Sequence, residues 1–443
     1  MNEQSRKLSR RTALLLPLAL AGCDTIKSLF SPADKRLPGI REDVLPVHNG
    51  LELDAEAGLS ISLPVPVAQH DWLQVGGSAT HEWGSIIGPT KFKKLWQSDI
   101  GIGSAYRRKL VAQPLVFGGW VFTMDADAVV NAFDAKTGDF IWRFDPAPEA
   151  TDSTNIGGGL SSDGKMLFVS TGYGDLIALD PATSRLIWRV DLGAPARSSA
   201  TIADGVLYLI TLDARLLAYA LHDGGLIWSY QGQAASTAGL SSSAPAVSDD
   251  FVAAAFASGE LVTVNKDTGV EIWTDSLSVS RTVLVAADIA TVPSPTVIAA
   301  GKVFAVGLDG LMLSVDIKSG RRAWERDVGG FQMPCVSGEL VFVYADGHLL
   351  ALSRDEGSAL WIVPIPQYVK PEKKVDPITW LGPILVGEKL WLAGNNGQML
   401  MIDPAQGTFD KPIELGEGVA VLPVIADGVF YFIFESGAVA AFA

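Results

Sequence analysis

Cysteine is nearly absent from this chain: Cys23 and Cys335 are the two thiols in 443 residues. A disulfide framework therefore does not hold the fold together, and no C-x-x-C or vicinal pair is present. Histidine is almost as scarce. His48, His70, His81, His222 and His348 are scattered, with no pair at metal-ligand spacing. Charged residues make up 19% of the chain and leave a formal net charge of −15. That balance argues against a nucleic-acid partner, which needs a basic footprint. The apolar run Ala13–Ala21 covers nine residues, too few to span a bilayer as a helix. Glycine and apolar residues are plentiful instead: 45 glycines, and apolar residues at 48%. Together with many β-branched residues they point to a sheet-rich protein with a large core.

The N-terminus reads as an address. Arg6, Lys7, Arg10 and Arg11 precede the apolar run, and Leu20-Ala21-Gly22-Cys23 follows it. This resembles a bacterial lipobox, in which the signal (residues 1–22) is removed and Cys23 receives lipid. Two or more acyl chains anchor stably, at roughly 0.8 kcal/mol per buried CH₂. Ser9-Arg10-Arg11 partly resembles a twin-arginine export motif, but Ala13 and Leu15 replace its usual aromatic and Lys. Sec and twin-arginine export both stay open. Asp24 resembles an inner-membrane retention signal, so the choice of membrane stays open as well. Residues 23–85, with "SPADKRLPG" and "LPVPVAQ", read as an extended tether and lead-in, ordered in part near its end.

From residue 86 to 443 one unit recurs. "WVFTMDADAVVNAFDAKTGDFIW" (Trp120–Trp142) and "GVLYLITLDARLLAYALHDGGLIW" (Gly205–Trp228) are two of eight copies. The unit has short apolar strands, a turn that usually bears Gly and, in most copies, a terminal Trp, spaced about 45 residues apart. Such runs indicate antiparallel all-β structure, and four strands per copy fit an eight-bladed β-propeller of four-stranded blades. The last copy stops after its third strand at Ala443, whereas "KFKKLWQSDIG" before the first copy is an orphan fourth strand. That N-terminal strand is expected to complete the last blade and leave no open seam.

The tryptophans Trp96, Trp142, Trp188, Trp228, Trp273, Trp324 and Trp361 end the outermost strands, where they are expected to dock blade on blade. Copy seven has Lys411 at that position. Copy two has Ser184 where others have Gly, so its turn is expected to be built differently.

No catalytic constellation emerges. "DADA" (Asp125–Ala128) reads as a hairpin turn rather than a cation loop. Gly157-Gly158-Gly159 lacks the Lys-Ser/Thr of a phosphate loop and reads as a loop entering blade two. Ser243 has no nucleophile elbow. Cys335 reads as a buried hydrophobe. Trp120, Trp380 and Trp391 lie outside the repeat and read as core, or as the lining of an axial pocket. No catalytic residue, cofactor or metal is expected.

The repeat "A-L-D-x-x-T-G-x-x-x-W" resembles the PQQ-type propeller repeat. Two groups share it: the quinone-dependent alcohol and glucose dehydrogenases, and the BamB family of outer-membrane β-barrel assembly lipoproteins. "DWLQVGGSATHEWG" (Asp71–Gly84) also resembles the lead-in of BamB-like proteins. The dehydrogenases carry a Ca²⁺ site, a base and often a vicinal disulfide, and this chain lacks the adjacent Cys pair. The resemblance therefore implies a non-enzymatic, lipid-anchored scaffold at the outer membrane, facing the periplasm. Its implied partners are the periplasmic domains of BamA, the other Bam lipoproteins and unfolded outer-membrane proteins. The family contacts BamA through the loops entering blades four and five, here Gln231–Pro245 and Ser278–Pro295. Leu240, Arg281 and Asp288 carry over as contact candidates, although the family's Arg in the first loop and its paired acids in the second are not matched. The run Thr282–Ala290 reads as a strand or an exposed binding patch. A quinone-dependent dehydrogenase and a periplasmic ligand-binding propeller remain the alternatives.

Overall fold

The computed structural model describes residues 49–54, 61–106, 108–148, 155, 157–196, 198–235, 243–278, 294–308 and 310–443. The chain separates into two units, residues 1–47 and 48–443, and every described residue belongs to the second.

This unit is an eight-bladed β-propeller of four-stranded antiparallel sheets. Blade 1 runs Leu115–Phe117, Trp120–Met124, Val130–Asp134 and Phe140–Phe144, from axis to rim. Blades 2 to 7 follow in sequence. Their innermost strands are Gly158–Ser162, Thr201–Ala203, Ala246–Val247, Val297–Ala299, Cys335–Ser337 and Trp380–Val386. Blade 8 joins the two ends of the repeat region. Lys94–Asp99 pairs antiparallel with Ala438–Phe442, with Trp96 opposite Ala441 and Asp99 opposite Ala438. The orphan strand therefore closes the ring as expected.

Burial follows position within a blade. In blade 3 the second and third strands, Val206–Ile210 and Arg215–Ala220, are buried nearly throughout. Both faces are covered by neighbouring blades, so these strands read as continuous apolar runs. The fourth strand, Leu226–Gln231, alternates because the rim meets solvent.

Seven junctions share one staple. The indole N–H of each rim Trp donates to a backbone carbonyl in the last turn of the next blade. Trp96 reaches Ala135 at 3.0 Å, Trp142 reaches Pro181 at 2.9 Å and Trp188 reaches Leu221 at 2.9 Å. Trp228 reaches Lys266 at 2.8 Å and Trp273 reaches Ile317 at 2.7 Å. Trp324 reaches Arg354 at 2.8 Å and Trp361 reaches Pro404 at 2.9 Å.

The turn glycine beneath six of the seven rings serves two purposes. At Gly269, φ is +68°, and a Cβ would come within 2.6 Å of the Trp228 ring. Glycine thus supplies both the left-handed backbone and the space for a flat indole. Ser184 corrects the expectation for copy two. It adopts the same left-handed backbone, φ 56°, and its N–H reaches Asp180 O at 2.9 Å, as Gly269 N–H reaches Asn265 O at 2.9 Å. The turn is the same; Ser184 bears the strain.

The eighth junction, between blades 7 and 8, has no rim Trp. Phe92 fills it, stacking on Trp391 at 5.8 Å and on Phe442 at 5.1 Å, with edge contacts to Phe430 and Phe432. A residue just before the closing strand thus replaces the missing indole.

Candidate functional site

The innermost strands turn an open edge toward the axis, and unpaired N–H groups there are costly if left dry. Residues 67–87 satisfy many of them by crossing the ring and touching every blade. Trp72 exchanges backbone hydrogen bonds with Val116 of blade 1 at 2.7 and 3.0 Å. Leu73 O accepts from Ser162 N–H of blade 2 at 2.8 Å. The side chain of Gln74 accepts from Ile202 N–H of blade 3 at 2.7 Å. Ala79 O and Thr80 O accept from Val247 N–H of blade 4 and Ile298 N–H of blade 5, at 2.7 and 2.9 Å. The Trp83 indole donates to Cys335 Sγ of blade 6 at 3.2 Å. Ile86 bonds Leu385 and Gly387 of blade 7, and Gln69 O accepts from Asp427 N–H of blade 8. What reads in sequence as the end of a tether is a strap across the axis.

Trp72, Gln74, His81, Trp83, Ser85 and Ile86 of the strap are buried as deeply as the core. Trp72 is fully buried and its ring lies 6.0 Å from that of Trp83. His81 holds φ 61° and is closed in, with Nδ1 2.7 Å from Thr296 O and Nε2 3.3 Å from Thr201 Oγ1. Burial pushes its imidazole down to about 4, so it is neutral at neutral pH. Cys335 is 1% exposed, and burial lifts its thiol to about 11, which makes it an inert core group rather than a nucleophile.

Above the strap lies an axial cavity of about 240 Å³. Residues at or just before the start of every innermost strand line it, from Ala112 and Gly158 through Ser199, Ala244 and Gln332 to Leu422. Val75 of the strap joins them, and none of the described lining residues is charged. Ala244 and Pro295, at the described ends of the two loops entering blades 4 and 5, line the cavity. Ser243 clamps their ends together: its hydroxyl donates to Ser294 O at 2.9 Å while both residues are fully buried. That bond gives Ser243 a structural task.

The remaining sequence candidates fall as follows. Asp125 caps the "DADA" hairpin, its carboxylate accepting from the N–H groups of Ile102, Asp127 and Val129. Gly158 and Gly159 are not in an entry loop: they sit in the innermost strand of blade 2, and a Cβ on Gly159 would meet Ser199 N at 2.6 Å. Close approach of blade 3, not phosphate binding, accounts for Gly159. Trp380 and Trp391 are buried and donate to Pro366 O and Val386 O. Trp120 is half-buried against Phe122. His70 pairs with Asp427 at 2.6 Å, and His48 lies outside the described side chains. Among the described residues, no cluster of three His, Cys, Asp or Glu side chains is placed to hold a metal. Cys23, Leu240, Arg281 and Asp288 all lie outside the described residues, as does the run Thr282–Ala290.

A family model described as outer membrane protein assembly factor BamB matches residues 93–363. The chain belongs to the BamB family. The BamB of Yersinia pestis is 24% identical over 361 residues, covering 79% of this chain and 88% of that protein. The BamB of Burkholderia pseudomallei is 24% identical over 354 residues, covering 79% and 87%. Among solved structures, BamB from Moraxella catarrhalis superposes with a TM-score of 0.64 at 15% identity, covering 80% of this chain and 99% of that one. A quinohemoprotein alcohol dehydrogenase from Pseudomonas putida gives 0.67 at 13% identity, covering 86% and 83%. At such identities these structures speak for the shared propeller alone. The assignment to BamB rests on the family model.

Proposed function

We propose that this chain is a non-enzymatic scaffold of the outer-membrane protein assembly machinery. It is anchored by lipid on Cys23 after removal of residues 1–22 and faces the periplasm from the outer membrane. Its working surface is the loop pair Gln231–Pro245 and Ser278–Pro295, which docks the periplasmic domains of BamA. Leu240, Arg281 and Asp288 are the contact candidates.

One observation carries this reading beyond family membership. The described ends of both loops are joined by the Ser243–Ser294 hydrogen bond, which supports a shared working surface on the ring. The uncharged described lining of the axial cavity supports a binding role over redox chemistry, since a quinone cofactor with carboxylates calls for cations and a metal for carboxylates.

The test is copurification from the native host in mild detergent, read by mass spectrometry. Recovery of BamA with companion lipoproteins is expected, together with a diacylated N-terminal Cys23. Arg281→Glu combined with Asp288→Lys should lower that recovery at least about tenfold, in line with the loss of charge pairs at an interface. An abundant, lipidated protein that brings none of these partners overturns the reading.

A further inference from the structure

The axial cavity is a partly open socket. Val75 of the strap lines it, as do Ala244 and Pro295 at the entries to blades 4 and 5. Its size is informative. A cavity of roughly 150 Å³ holds one benzene ring, and drug-sized ligands need about 300–1,000 Å³. At about 240 Å³ this socket suits one large apolar side chain and little more. Its chemistry narrows the guest further. Leu110, Met333, Leu381 and Leu422 supply an apolar wall, and no described lining residue would pair with a charge. Phe331 stands 41% exposed at the lining, available to stack on an entering ring.

Gln332 adds a directional group. It is 9% exposed and lines the socket. Its Oε1 accepts a long bond from Gly382 N–H at 3.4 Å, and its Nε2 makes no hydrogen bond to any described residue. An amide N–H₂ on a mostly buried side chain, facing the cavity, can donate to a guest that brings a carbonyl. A peptide offers both parts: an apolar side chain to fill the socket, and a backbone carbonyl one or two bonds away to accept from Gln332.

We propose that the axial socket binds an extended polypeptide by taking up one large aromatic side chain, with a flanking peptide carbonyl accepting a hydrogen bond from Gln332 Nε2. This binding site is separate from loop docking and stands whether or not BamA is the partner at the loops.

The test uses the full lipidated chain in lipid nanodiscs, with empty nanodiscs as the blank. The probes are acetyl-Ala-Phe-Ala-amide, acetyl-Ala-Ala-Ala-amide, and indole as an aromatic without a carbonyl. Binding is read by calorimetry and saturation-transfer NMR. Saturable binding of the Phe peptide is expected, at least about tenfold tighter than the Ala peptide, from burial of one aromatic side chain. Ala420→Trp, which fills the socket, should abolish it. Gln332→Leu should weaken the Phe peptide about fivefold to tenfold, the worth of one buried hydrogen bond, and leave indole unchanged. If Ala420→Trp does not fold, Gln332→Leu decides alone. Equal binding of the Phe and Ala peptides overturns the socket. Indole binding as tight as the Phe peptide, with no effect of Gln332→Leu, overturns the peptide assignment and leaves a site for free aromatic molecules. Loss of loop-dependent BamA recovery with peptide binding intact would instead strike the scaffold reading and spare this one.

Discussion

The rim and the axis of this propeller are held by opposite strategies. At the rim, one Trp-to-carbonyl staple is used at seven junctions, each with the same geometry. At the axis, one non-repeating strap reaches all eight blades through a mix of backbone and side-chain bonds. Repetition lets the rim tolerate the loss of a unit: Lys411 replaces one Trp, and Phe92 fills the gap. The strap has no spare copy. The difference predicts that damage at the axis is felt by the whole ring and damage at the rim stays local.

The largest expected effect is at the strap. Trp72→Ala removes a fully buried indole and should cost about 3–5 kcal/mol in urea unfolding. Its effect should appear as a change across the whole transition. A loss confined to one partial unfolding step would break the comparison.

Next comes acid. The folded-state value of His81, about 4, lies below its value in an unfolded chain, about 6.5. The unfolded state therefore binds more protons between those values, and stability falls as pH drops through that window. The loss approaches about 3 kcal/mol by pH 4. His81→Asn accepts the positive φ and carries no charge, so it should flatten this part of the melting-temperature profile. An unchanged profile would show that other groups cause the acid loss.

Smaller effects sharpen the rim. Trp228→Phe keeps a ring but loses the bond to Lys266 O, and should cost about 1–2 kcal/mol. Trp324→Phe should cost the same, and the double variant should show the sum, because the two junctions share no partner. Non-additivity beyond about 0.5 kcal/mol would mean that the junctions communicate.

The smallest effect is at the irregular turn. Ser184→Gly relieves a left-handed non-glycine residue and should leave stability unchanged or raise it by up to about 1 kcal/mol. The reverse change, Gly269→Ser, should cost more, because a Cβ there meets the Trp228 ring at 2.6 Å. Both are checked by thermal melting.

The legible parts were those the chain states many times. Turn glycines, rim tryptophans and continuous apolar strands recur with one period, so the architecture and even the closing strand could be read before any contact was known. The strap was harder. Its signal is present in "DWLQVGGSATHEWG", two tryptophans and a histidine with two acids and no base, which is unusual for an exposed tether. Read alone, however, a segment without period has no face to assign. Ser184 misled for a related reason: residue preference argued for another turn, while the surrounding blade imposed the common one. The triple glycine misled because close approach between strands and a flexible loop ask for the same residue.

The sequence by itself determined the number of blades, the four-stranded unit, the docking tryptophans and the manner of ring closure. These depend on local periodicity and turn chemistry, which each repeat carries in full. Only the tertiary structure decided that residues 67–87 cross the axis and reach every blade, that Ser243 bonds Ser294 across the blade 4 and 5 entries, and that the axis holds a socket whose described lining carries no charge. Those features join residues from tens to hundreds of positions apart through single, unrepeated contacts. No local pattern encodes which N–H on the axis a given carbonyl will meet; the closed ring brings them together.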